Sequence, residues 1–171
     1  MKHLEPLLIT SLNMHLIMKY NPENKLLRKL LFAEREMLYQ MLNHKEAIAF
    51  YEKELSGFYD ETFRTIANYI IEYASKHKEL DVSDLIASLE ENDASNKDKL
   101  IQTMTDLQFE KNHPSSCSQE LLDGLMKNIS DEREKIFEED RMKNSLQGKS
   151  PQEQARLLAE YNKRKLNKLK K

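Results

Sequence analysis

Leu26, Leu27, Leu30, Leu31, Met37, Leu38, Met41 and Leu42 recur at i, i+3, i+4 and i+7, a spacing that gathers them on one broad face of a helix. Asn21 and Pro22 give that helix a start. Asn21 suits the N-cap, and Pro22 suits the first helical position, where a missing N–H leaves nothing unbonded. The same periodicity predicts a short helix over Glu46–Leu55 closed by Gly57, whose tolerance of positive φ suits a C-terminal cap. It predicts a further helix capped by Asp60, with Phe63, Ile66, Ala67, Ile70, Ile71 and Ala74 as its apolar stripe. Asp81-Val82 leads into a brief helix through Leu89, a polar loop follows over Glu90–Asn96, and another helix covers Lys97–Phe109. Residues 1–20 are ambiguous, since their apolar positions fit either a short helix or an extended segment packed on the body.

Asn112-His113-Pro114-Ser115-Ser116 is the strongest internal breaker, because proline disfavours helix in the residue before it and serine offers capping hydroxyls. Beyond it, Leu121, Leu122, Leu125, Met126, Ile129, Ile136 and Phe137 predict one long helix, about Ser118–Ser145, with no breaker stronger than Gly124. Gly148-Lys149-Ser150-Pro151 then interrupts the chain, and a last helix follows with Ala155, Leu158, Asn162, Leu166 and Leu169 on one face, widened by Leu157 and Tyr161. That apolar arc is wider than one partner helix needs. The expected architecture is all-α. A multi-helix bundle of about six helices over residues 21–128 is followed by a C-terminal antiparallel helical hairpin over 129–171, the two joined by one long helix.

Charge sharpens the hairpin. Asp131–Asp140 has six acids against two bases, whereas Pro151–Lys171 has seven bases against two acids, so antiparallel pairing of the arms is electrostatically favoured. The net charge of -2 hides this asymmetry, because +5 in the last 21 residues leaves -7 for residues 1–150. With 39% hydrophobic and 33% charged residues and only three glycines in 171, the composition suits helices around a real core. The single cysteine, Cys117, excludes an internal disulfide framework and fits a reducing, cytoplasmic compartment. The longest apolar cluster, Leu7–Met18, is interrupted by Thr, Ser, Asn and His and is too short to span a bilayer.

Signals of chemistry are weak. Gly148-Lys149-Ser150 copies the end of a phosphate-binding loop, but that motif needs a glycine where Lys143 stands and a strand where a helix is expected. His3, His15, His44, His77 and His113 are scattered. Only His113 and Cys117 come close, which cannot complete a tetrahedral zinc site, so a surface or capping role is expected for them. The carboxylates of 131–140 read as a solvated face with Arg133 and Lys135 as local partners. No nucleophile elbow occurs, and Asn128-Ile129-Ser130 matches the glycosylation pattern only incidentally. No catalytic residue, metal or cofactor is expected. The basic tail with Lys163, Arg164, Lys165, Lys168, Lys170 and Lys171 fits either contacts to nucleic-acid phosphates or, through the leucines interleaved with it, a helix laid in a partner's groove.

Ala33-Glu34-Arg35-Glu36-Met37-Leu38-Tyr39-Gln40-Met41-Leu42 resembles the A-E-R-x-x-L-x-x-M-L opening helix of the C-terminal, helicase-binding domain of bacterial (DnaG-type) DNA primases. Phe58 with Phe63, Ile66, Tyr69 and Ile70 is similar to that family's helix after the first loop, and Asp81-Val82 with Leu85, Ile86 and Leu89 to its D-V-x-x-L-I segment. The resemblance covers about residues 21–171 and rests on the order of these motifs. It implies a bundle similar in fold to the amino-terminal domain of the replicative helicase, followed by a two-helix hairpin that docks on the hexameric, DnaB-type helicase. Such a domain stimulates the helicase and couples primer synthesis to fork unwinding. Leu157, Leu158, Tyr161, Lys165, Leu166 and Leu169 correspond to the docking helix. Residues 1–20 have no counterpart, and the zinc-binding and polymerase portions of a primase are not in this sequence. The resemblance therefore implies an excised, non-catalytic interaction module. The alternative is a helical nucleic-acid-binding module that uses the basic tail.

Overall fold

The computed structural model describes residues 22–91, 96–111, 113–114 and 116–168. Outside these lie the reading of residues 1–20, Asn21 as a cap, the middle of the loop after Leu89, Asn112 and Ser115 of the breaker, and Leu169, Lys170 and Lys171 of the tail. The described residues are all-helical: α1 (Pro22–Asn43), α2 (Lys45–Glu54), α3 (Glu61–Lys76), α4 (Val82–Glu90), α5 (Lys97–Phe109), α6 (Gln119–Leu146) and α7 (Pro151–Lys168). None of these helices is long and apolar enough to cross a membrane. The chain forms two compact units that divide between Glu132 and Arg133, within α6.

In the first unit α1 is central and packs against α2, α3 and α5. Its leucine and methionine stripe is the reason, because Leu30, Met37, Leu38, Met41 and Leu42 are essentially without exposure. Each such side chain contributes about 1.5–3 kcal/mol by leaving water. The other helices answer with Ile66 and Ile70 from α3, Leu85 and Leu89 from α4, and Leu100, Met104 and Leu107 from α5. Leu122, Leu125 and Ile129 in the first half of α6 are also buried. The caps are local. Asp60 accepts from the Phe63 N–H at 2.9 Å, and Asp81 accepts from Ser83 and Asp84 N–H at 2.8 and 3.2 Å, each satisfying donors that a helix start leaves without a partner.

Gly57 is not the cap of α2. The helix ends at Glu54, and Leu55 caps it in an extended conformation by donating its N–H to Tyr51 O. Gly57 follows with φ +112°, a backbone state open to glycine at little cost. It turns the chain so that Phe58 lies 4.7 Å from the Tyr51 ring and meets Phe63 edge-on at 6.5 Å. Gly124 is the opposite case. It sits within α6 with open space where a Cβ would go, so Gly124→Ala is expected to raise stability by about 0.5–1 kcal/mol, read as a higher denaturation midpoint at constant slope.

In the second unit the two arms meet through a tight turn. Gly148 takes φ +73° just after α6, and the Gln154 amide donates to Leu146 and Lys149 carbonyls at 3.1 and 3.2 Å. Ser150 then starts α7. Its hydroxyl accepts from the Glu153 N–H at 3.4 Å, while the Glu153 carboxylate accepts from the Ser150 N–H at 3.1 Å, and Pro151 fills the first helical position. This is a reciprocal capping box, and it accounts for the Gly-Lys-Ser-Pro stretch entirely in terms of helix ends.

Candidate functional site

Two groupings of polar and apolar side chains stand out, one in each unit. The first surrounds α1. Glu34 interrupts its leucine stripe, between Leu30 and Leu38, while Glu36 and Gln40 share a different face at i and i+4, and all three are buried. Glu34 accepts from the backbone N–H groups of Tyr59 and Asp60 at 2.5 and 3.0 Å, so it anchors the loop that leads into α3. Arg35 donates to both carboxylate oxygens of Glu110 at 2.9–3.2 Å, a bidentate clasp on the end of α5. Those bonds hold the Glu110 carboxyl below its ordinary range, against an opposing push from burial.

His113 completes this grouping, and its place corrects the expectation of a surface or capping role. Its side chain is 7% exposed and its ring stacks on Tyr39 at 3.7 Å and 11°. Nδ1 lies 2.6 Å from Glu36 Oε2, whose other oxygen accepts from the Gln40 amide at 3.0 Å. Nε2 is 2.9 Å from Glu110 Oε2 but lacks the alignment of a hydrogen bond. Cys117 plays no part in it. Among the described residues no three His, Cys, Asp or Glu side chains converge as metal ligands would. What the arrangement does is mechanical: α1 is fastened to two loops that are distant in sequence, the one before α3 and the one between α5 and α6.

The second grouping is the hairpin. Lys168 Nζ reaches Glu138 Oε1 at 2.5 Å and Glu134 Oε1 at 3.9 Å, and Lys165 Nζ reaches Glu139 Oε1 at 3.8 Å. The end of α7 thus lies beside the middle of the second half of α6, as antiparallel arms require. The Lys168 hydrogen bond draws the Glu138 carboxyl down, and Glu138 raises Lys168. Lys165 also stands 5.7 Å over the Tyr161 ring. These contacts sort the residues that the resemblance assigns to docking. Leu157 and Tyr161 are half-buried and Lys165 lies against the acidic arm, whereas Leu158 and Leu166 stay 42% and 59% exposed. Leu169 lies outside the described residues. Phe137 on α6 is 53% exposed as well, and sequence reasoning counted it only as part of a helical pattern. The expectation of a wholly solvated acidic arm also fails at Glu132, which is buried.

These ion pairs are largely solvated, so each adds little to stability and is screened by salt. Lys168→Glu is expected to fray the last turns of α7 and lower helicity in circular dichroism, most visibly at low salt. Adding Glu138→Lys should recover most of the loss. Equal helicity in all three proteins would show that the pairs do not hold the arm.

No protein-family model, curated protein or solved structure matches this chain.

Proposed function

We propose that the chain is a non-catalytic interaction module of the primase type, which binds a hexameric replicative helicase through the outer face of α7 and so couples primer synthesis to unwinding. One observation carries this reading. No described residue of α7 is buried, yet Leu158 and Leu166, eight positions apart, stand open beside Ala155, Ala159 and Asn162 on the same face. A face that leaves both of its leucines in solvent is unpartnered, and an apolar face rimmed by charge is the form taken by helices that dock in grooves. The basic-tail alternative is weakened by the same geometry, because Lys165 and Lys168 are already engaged with Glu139 and Glu138. Support from sequence comes from the Ala33–Leu42 motif and the segments that follow it in order.

The test is co-elution of the purified chain with a hexameric bacterial replicative helicase in gel filtration at micromolar concentration. A shared peak, and faster DNA-strand separation by the helicase in the presence of the chain, are the expected results. Separate peaks at every concentration would remove the helicase as partner.

A further inference from the structure

A different surface lies on the first unit. Lys25, Arg28, Lys29 and Phe32 follow one another at i, i+3, i+4 and i+7 of α1, which sets them on one helix face, and all four are exposed, Phe32 to 71%. They line a groove of about 550 Å³ that α1 shares with α6. Buried Ala33 and Leu125 form its apolar floor, Asn128 adds an exposed amide, and the buried carboxylate of Glu132 closes it.

Three cations within two helical turns are conspicuous in a chain of net charge -2. Glu132 offsets one of them, and the remaining positive excess asks for an anionic occupant. Residues 1–20 do not supply one, since Lys2 and Lys19 outnumber Glu5 there. The aromatic ring narrows the choice further. An apolar peptide side chain is best held by a recessed pocket, but Phe32 presents an open ring face, which suits a flat base. Lys25 and Lys29 stand about 6 Å apart along the helix axis, close to the step between phosphates of an extended strand. Basic groups tracking a backbone next to an aromatic platform are the elements of sequence-tolerant single-strand binding. The Asn128 amide can both donate to and accept from a base edge.

We propose that this groove binds single-stranded nucleic acid, with Lys25 and Lys29 on successive phosphates, Arg28 beside them on the same backbone and Phe32 stacked under a base. The surface is separate from the helicase-docking face and stands whether or not that reading does.

Fluorescence anisotropy of a short labelled oligothymidylate with the full chain tests it. Affinity should fall linearly with salt on logarithmic axes. Lys25→Ala, Arg28→Ala and Lys29→Ala should each flatten that slope by about 0.7. Phe32→Ala should weaken binding roughly tenfold at unchanged slope, with Phe32→Tyr restoring it. All four side chains are exposed, so circular dichroism should report an unaltered fold in each variant. The tail variant Lys163→Ala/Arg164→Ala should bind as the parent does. No binding at low salt would overturn the proposal, as would binding lost in the tail variant but kept in the groove variants. It would also fall if an acidic peptide occupied the groove and the oligonucleotide did not.

Discussion

Leu158→Asp is expected to weaken capture of the replicative helicase at least a hundredfold while the free chain keeps its helicity and melting midpoint. Leu158 is open in the hairpin, so a carboxylate there meets water and changes stability by no more than about 0.5 kcal/mol. In a groove the same carboxylate would lose its hydration without a partner, at a cost of several kcal/mol, and about 2.8 kcal/mol already corresponds to a hundredfold. Leu166→Asp should behave alike. Leu157 and Tyr161 are poorer probes, since they are half-buried and truncating them would disturb the hairpin itself. Wild-type affinity in Leu158→Asp would sink the docking assignment, whatever the partner.

Glu34→Ala is expected to destabilise the bundle by about 3 kcal/mol, measured as a lower denaturation midpoint at similar slope. The carboxylate of Glu34 is fully buried and takes the Tyr59 and Asp60 N–H groups. Removing it leaves two donors without that acceptor, at about 1–3 kcal/mol each, next to the residue that caps α3. Glu34→Gln should lose roughly half as much, because its single carbonyl oxygen can still accept while its amide must face a donor. If both variants matched the parent, the loop would have to find other acceptors, and Glu34 would not be its anchor.

The helices were legible because burial of one face imposes a 3.6-residue period, and their ends because capping chemistry is local. Asp60, Asp81 and Ser150-Pro151 show this, each bonding within three residues. The polar fastening of α1 was not legible. Glu36 and Gln40 fall where an amphipathic helix usually meets water, Glu34 interrupts the apolar stripe itself, and their partners lie 25 to 77 residues away. Sequence spacing drew attention instead to the neighbouring Cys117. The hairpin surface was half legible. An apolar arc could be seen, but which leucines face the other arm follows from the register of Lys165 and Lys168 against the acids of α6. The same positions explain why the Ala33–Leu42 motif reads so strongly. Nearly every residue in it is either core or fastening, so its pattern reflects the packing of the bundle. It bears on docking only through the resemblance.

The exposure of α7 has a consequence for any binding equilibrium in which it takes part. Its helicity rests on a capping box at one end and solvated ion pairs at the other, with no buried side chain among its described residues. Such a segment loses conformational entropy when a partner holds it, at about 1–2 kcal/mol for each residue newly fixed. Affinity is then set partly by how much of the arm is already wound before the encounter. Ser150, Glu153, Glu138 and Lys168 would tune the strength of an interface they never touch.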